Sequence, residues 1–289
     1  MILKGIKQEI ILFNDLQPEE VKNITMISII ISTHKPELFE AVKVSIDKTI
    51  GVAYEIIGVE NHARYSICEA YNIGESQAKY PYLCFVHEDV LFKTKDWGKS
   101  LISIMESDKS IGLIGIAGTK FKSTYPTGSW GQSSFLTKYK RGHVFVYADN
   151  LVEQHIEYDD SKHPELLEEV VCVDGVFMFT KKEVYKSCRY DDTVFTNFHG
   201  YDLDFSLQVF FQSYKVLVYR GVELIHLSQG NYTPYFTLAN RLMQKKWGSK
   251  LPVASNDLGL NNSRLCYYNT VNNLISLKDT LIRKIKKHL

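Results

Sequence analysis

The sequence predicts an α/β fold, a mainly parallel sheet flanked by helices, followed by a C-terminal helical extension. Three observations point there. Short β-branched or aromatic runs alternate with segments of helical periodicity, giving strand, helix, strand, helix, strand over the first hundred residues. The run Met26-Ile27-Ser28-Ile29-Ile30-Ile31-Ser32 is β-branched and continuous, as in a strand covered on both faces. The first three strands each stop in polar groups, His34, Glu60 and Asp89, so one sheet edge would collect them where open α/β sheets bind ligands.

The elements follow in order. After the first strand, Pro36 and Glu37 open a helix whose Leu38, Phe39, Val42 and Ile46 recur at helical spacing. Tyr54 to Val59 is a second strand ending in Glu60-Asn61-His62, and a helical segment from Ser66 to Lys79 leads to the third. That third strand, Tyr82-Leu83-Cys84-Phe85-Val86, runs straight into His87-Glu88-Asp89. Trp97 to Met105 reads as helix and Ile111 to Gly118 as a buried strand with close backbone approaches. Thr119 to Gly142, rich in Ser, Thr, Gly and Tyr, reads as a long loop. Strands return at Val170 to Gly175 and Val176 to Thr180, then a helix from Lys181. Phe198-His199-Gly200-Tyr201-Asp202-Leu203-Asp204 opens a helix to Gln212; strands at Lys215 to Tyr219 and Val222 to Leu227 and an amphipathic helix at Tyr235 to Trp247 complete the pattern. The expected organisation is an extension over 1–25, one domain over 26–248 in halves 26–118 and 119–248, and a helical tail over 249–289.

Composition narrows the function. A formal net charge of +1 and a pI near 7.6 give no basic field for a nucleic-acid partner. Five cysteines, at 68, 84, 172, 188 and 266, form no C-x-x-C pair or zinc spacing, which suits reduced thiols in a cytoplasmic protein. No signal peptide and no membrane-spanning run are expected. In the tail, Leu274, Leu277, Leu281, Ile285 and Leu289 line one helical face beside Arg283, Lys284, Lys286 and Lys287. Either this helix packs on the body, or it touches a membrane peripherally, at the inner face of a cytoplasmic membrane.

Several groups carry candidate chemistry. The adjacent acids Glu88 and Asp89 at a strand end either hold a divalent cation or are a solvated pair opening a turn. Asp202 and Asp204, two apart on a helix, cannot share a face, so their roles differ. Asp204 suits the first turn of the helix; Asp202, just after flexible Gly200, suits a general base, although capping would also explain both. His226 is either a metal ligand beside a carboxylate or a satisfied core residue. In the long loop, Trp130, Tyr125 and Phe135 suit a lid that stacks on a ligand ring or packing onto the body. Lys120, Lys122, Lys138, Lys140 and Arg141 suit a diphosphate or lipid-phosphate acceptor, or a solvated face.

Together, the Ile-rich first strand, Glu60-Asn61, Asn72-Ile73-Gly74, the strand into His87-Glu88-Asp89, Asp174-Gly175, Gly200-Tyr201-Asp202-Leu203-Asp204 and Ile225-His226 resemble the GT-A (Rossmann-like) glycosyltransferases over about residues 26–248. The resemblance is closest to the family 2 type of bacterial surface-polysaccharide biosynthesis. It implies transfer of a sugar from a nucleotide-sugar donor, UDP- or GDP-linked, to a glycan or lipid-linked acceptor, with Mn²⁺ or Mg²⁺ as cofactor. The family's acidic motif after the third strand is usually Asp-x-Asp, and here His87 stands in place of its first acid. By position, Asp89 and His226 become the metal ligands. Thr33, His34, Glu60, Asn72, His87 and Glu88 become the nucleotide-sugar side. Asp174, Gly175, Trp130, His199, Gly200 and Asp204 become the acceptor or sugar side, and Asp202 the base of an inverting transfer. Two other readings remain open at this point: a sugar-phosphate nucleotidylyltransferase, which would want a Gly- and Arg-rich loop where Thr33-His34-Lys35-Pro36 stands, and a non-catalytic nucleotide-sugar or glycan-binding subunit.

Overall fold

A computed structural model describes residues 26–126, 134–147, 153–158, 164–228 and 234–288. In chain order the strands are β1 (Ile27–Thr33), β2 (Tyr54–Glu60), β3 (Tyr82–Val86), β4 (Val90–Phe92), β5 (Ile111–Gly115), β6 (Ala117–Thr119), β7 (Phe121–Lys122), β8 (Lys140–Tyr147), β9 (Glu153–Glu157), β10 (Leu167–Val170), β11 (Cys172–Val173), β12 (Phe177–Lys181), β13 (Lys215–Tyr219), β14 (Leu224–His226) and β15 (Val253–Ala254). The helices are α1 (Pro36–Thr49), α2 (Ile67–Gln77), α3 (Trp97–Ser107), α4 (Lys182–Ser187), α5 (Tyr201–Phe211), α6 (Pro234–Trp247) and α7 (Asn262–His288).

Seven strands form the main sheet in the order β10-β13-β5-β12-β3-β1-β2. The pairs β1–β2, β1–β3 and β5–β13 are parallel, whereas β12 runs against β3 and β5, and β10 against β13. Five strands therefore share one direction, and the sheet is mainly parallel as the sequence predicts. Strand β12, from the second half of the domain, lies between β3 and β5 of the first, so both halves are built into one sheet.

Side chains alternate across this sheet. Ile27, Ile29 and Ile31 face a cluster with Val42 and Ile46 of α1 and Trp97 and Leu101 of α3. Ile30 faces the opposite cluster, with Cys68 and Tyr71 of α2 and Phe205 and Leu207 of α5. Full burial of each isoleucine contributes roughly 2 kcal/mol, which explains why β1 is central to the fold even though Ser28 and Ser32 share the Ile30 face.

Beyond the core the sequence reading needs correcting. Ile111 to Gly118 is two strands, not one: the chain breaks at Ile116, β5 stays in the main sheet and β6 joins a second sheet of order β11-β6-β8-β14-β4. Residues 119–142 are not a uniform loop, since they contain β7, a 3₁₀ turn over Ser134–Tyr139 and the start of β8. Strands β8 and β9 escape sequence reading because polar residues interrupt their apolar pattern; they pair with each other, His143 opposite Glu157 and Phe145 opposite His155, and β8 pairs also with β6 and distant β14. This second sheet matters to function because antiparallel β14 and β4 set His226 opposite Val90, next to Asp89.

The tail is helical, but α7 does not pack as the leucine stripe suggests. Its inward side carries Asn272 and Ser276, both buried. Tyr268 packs beside Phe135 and Tyr139, the Asn269 side chain accepts from the Thr124 backbone N–H at 2.8 Å, and Tyr125 and Thr280 hydroxyls lie 3.2 Å apart. Leu274, Leu277 and Leu281 stay exposed. The expectation that these leucines dock on the body is overturned, because hydrogen-bonding residues occupy that side.

Asp204 anchors α6 to α5 instead of facing an acceptor. Only 1% exposed, it accepts from Trp247 Nε1 at 2.7 Å and Gln208 Nε2 at 2.8 Å and pairs with Lys246 Nζ at 2.8 Å. Its expected place on the acceptor side is corrected for this reason: the carboxylate is enclosed by the fold's own donors. Asp204→Ala leaves the buried Trp247 indole N–H without its acceptor and Lys246 with Asp191 as its remaining carboxylate, and is expected to destabilise the protein by about 2 kcal/mol, read as a drop in denaturant midpoint.

Candidate active site

The site starts from Glu88, two residues beyond β3. Its Oε2 accepts from Thr33 Oγ1 at 2.7 Å, from the His34 N–H at 2.9 Å and from the Lys35 N–H at 3.1 Å, while Oε1 lies 2.7 Å from His34 Nδ1. Lys35 is the N-cap of α1 and supplies no side-chain cap, and Pro36 carries no amide hydrogen. A carboxylate from a neighbouring strand therefore satisfies the start of α1, favoured by the helix dipole. Glu88, expected to bind the nucleotide-sugar, is instead taken up by protein donors and fixes the loop between β1 and α1 to the end of β3.

With that loop pinned, His87 and Asp89 point to the other side. Asp89 Oδ1 lies 3.4 Å from His226 Nε2 and 4.0 Å from His87 Nδ1, and all three residues are largely buried. One ligand atom from each of His87, Asp89 and His226 falls within 4.8 Å of the others. The Leu227 N–H donates to the Asp89 carbonyl at 2.9 Å, locking β14 onto this turn.

Tyr201 orients His87. Its hydroxyl donates to the Gly175 carbonyl at 3.0 Å and lies 2.7 Å from His87 Nε2. A phenol has one proton, and the carbonyl can only accept, so His87 Nε2–H must donate to Tyr201. The neutral imidazole then presents an unprotonated Nδ1 toward Asp89. Close approach of Tyr201 requires glycine at 175, where a Cβ would sit 2.1 Å from the phenol oxygen.

The electrostatics fit this geometry. Burial, then the neighbouring His226, pushes His87 down to about 4, so the ring is neutral at pH 7. Burial opposes ionisation of Asp89, but the hydrogen bond and charge of His226, followed by His87, hold its carboxyl well below the usual range. For His226, burial lowers and Asp89 raises the pKa, with a net rise.

Asp202 opens α5 just after Gly200, whose φ of +91° turns the chain into the helix. Burial first, and then the charge of Asp174, pushes its carboxyl up to about 7, against the pull of the Leu203 and Gly175 amides. The charge of Asp174 also acts on His87 and His226, raising the pKa of each, so one carboxylate influences both the histidine–aspartate cluster and Asp202. The arrangement joins a mixed N/O ligand set to a carboxylate able to exchange a proton near neutrality.

Other expected residues fall as follows. Thr33 and Glu60 are register partners at the ends of β1 and β2, Thr33 buried and Glu60 exposed; His34 lies at the mouth with its side chain 54% exposed. Asn72 does not face the ligand edge. It is buried in α2, donating to the Tyr190 carbonyl at 3.0 Å and to Asp192 at 2.8 Å and accepting from Tyr185, so its expected nucleotide contact is replaced by a structural one. His199 is half-buried against Phe236. Lys120 pairs with Glu168 at 3.2 Å, and Arg141 with the same carboxylate at 2.7 Å, so these two serve the fold before any phosphate. Trp130 lies outside the described residues. Sequence reasoning missed Tyr201 as the orienting group and Phe198, whose ring is 52% exposed with its centroid 5.5 Å from that of His87. Their motif was visible, but the partner of Tyr201 is 114 positions away.

Known proteins bear on this site in three ways. No curated protein matches the chain. Among solved structures, GalNAc-T7 with UDP, GalNAc and Mn²⁺ superposes with a TM-score of 0.51 at 11% identity, covering 76% of this chain and 47% of that one, so the chain spans about half its length. A mannosyltransferase from Pyrobaculum calidifontis in complex with GDP-Man and Mn²⁺ gives 0.42 at 10% identity, over 75% of this chain and 69% of that one. A197 from STIV gives 0.39 at 14%, over 71% and 86%. Residues 28–245, which hold every strand-end and α5 residue of the site, match the sequence model of a glycosyltransferase-like family. With the fold, the ligand edge and that match in register, the chain belongs to the glycosyltransferase-like family and has a GT-A fold.

Proposed function

We propose that this protein transfers a sugar, of hexosyl type, from a nucleotide-sugar to a hydroxyl of a glycan or lipid-linked acceptor, with inversion, assisted by a divalent cation. The observation that carries the reading is the convergence of His87, Asp89 and His226, tied through the Tyr201 hydroxyl to the first turn of α5, where burial and the charge of Asp174 raise the Asp202 carboxyl.

The donor set tests the cation. Two imidazoles and one carboxylate suit a borderline ion such as Mn²⁺, whereas Mg²⁺ prefers oxygen alone. When bound, the ion would neutralise charge growing on the departing diphosphate. The residues of the chain do the remainder. His87 and His226 offer ring nitrogens, the former set by Tyr201, and Asp89 offers its carboxylate. The amides beside Thr33, closed by Glu88, shape the neighbouring edge for the nucleoside. Asp202 takes the acceptor hydroxyl proton as the new glycosidic bond forms at the anomeric carbon and the nucleoside diphosphate leaves.

Four outcomes are expected. In calorimetry, nucleoside-diphosphate binding depends on the cation, is tighter with Mn²⁺ than Mg²⁺, and is lost in Asp89→Ala; equal binding without metal would remove these residues from the ligand role. Tyr201→Phe keeps the fold and weakens Mn²⁺ affinity by about tenfold, because the His87 ring loses the acceptor that holds it. Asp202→Asn retains donor binding and loses transfer by about a hundredfold or more. Since the base must be ionised, wild-type turnover rises with pH through about 7 and levels above it. Transfer by Asp202→Asn at the wild-type rate would reject the base assignment.

A further inference from the structure

Helix α7 is built inside out. Asn272 is fully buried and Ser276 is 4% exposed, whereas Tyr267, Leu274, Leu277 and Leu281 are 64%, 64%, 60% and 59% exposed. These four recur at intervals of seven, three and four residues, so they form one apolar stripe along the helix. An uncovered stripe of large apolar side chains marks a contact surface.

The charge pattern selects the occupant. From position 278 onward the helix carries Lys278, Arg283, Lys284, Lys286 and Lys287 against a single acid, Asp279. A second copy of this helix offers no complement in either orientation, because residues 262–277 contain Arg264 and no acid. A lipid surface with anionic headgroups matches both features, the leucines entering the acyl boundary and the basic end meeting the headgroups. Among the described residues no helix is long and apolar enough to cross a membrane, so the contact is in-plane.

We propose that α7 docks this protein on an anionic lipid surface through the Tyr267–Leu281 stripe and its basic C-terminal end. The docking is independent of the transfer reaction, and its test needs no turnover. If transfer also holds, docking carries the His87–Asp89–His226 edge to acceptors anchored in the same surface.

The test is flotation of the full chain with vesicles of phosphatidylcholine alone or with about one third phosphatidylglycerol. The protein is expected to float with the anionic vesicles and not the neutral ones, and to dissociate as salt is raised. Two variants, Leu274→Ser with Leu277→Ser and Leu281→Ser, and Arg283→Gln with Lys284→Gln, Lys286→Gln and Lys287→Gln, are each expected to lower partitioning at least about tenfold with unchanged thermal midpoint. No flotation, equal flotation on both vesicle types, or variants that bind like the parent would overturn the proposal. So would a dimer in gel filtration that the serine substitutions dissociate in a protein that does not float, since the stripe would then belong to a second copy.

Discussion

The ligand edge depends on one buried carboxylate. Glu88 gathers a hydroxyl, two backbone amides and an imidazole from the loop that starts α1, and thereby joins the ends of β1 and β3. A charge this enclosed is tolerated only because donors surround it. Its neighbours are placed as a result. With the middle residue of His87-Glu88-Asp89 turned toward α1, the flanking pair faces His226 on the adjoining sheet. A structural acid between two candidate ligands is thus what aims them.

The same division of labour separates Asp202 from Asp204. Two residues apart on one helix, they face different surroundings: Asp204 lies among Lys246, Trp247 and Gln208, and Asp202 lies beside Asp174 with no cation among the groups that chiefly set its pKa. Burial raises the Asp204 carboxyl too, but Lys246, Trp247 and Gln208 act against that rise and it holds two helices together. The ionisation of Asp202 is opposed by burial and by a like charge. A carboxyl raised in the folded state reduces stability above its unfolded pKa of about 4, with the full reduction present above about 7.

Outside the catalytic half, polar residues also override the apolar pattern. Helix α7 bonds Thr124 and Tyr125 through Asn269, Asn273 and Thr280, buries Asn272 and Ser276, and leaves Leu274, Leu277 and Leu281 outward. The family match ends at residue 245, so this arrangement belongs to the chain's own extension.

By itself the sequence determined the strands that carry the site, because a continuous β-branched run, period-two burial and helical spacing are local properties written in consecutive residues. It also separated Asp202 from Asp204, since helical geometry forbids a common face. It did not reveal β8, which pairs with distant β14, or the exposed β9 beside it, nor that Glu88, Asn72 and Asp204 are consumed by structural partners. Tertiary structure alone decided those roles, together with the coupling of His87 to Tyr201 and of Asp89 to His226. A carboxylate or imidazole has the same identity in a cap, a core or a cleft, and its function is set by which donors and charges folding brings within about 3 to 4 Å.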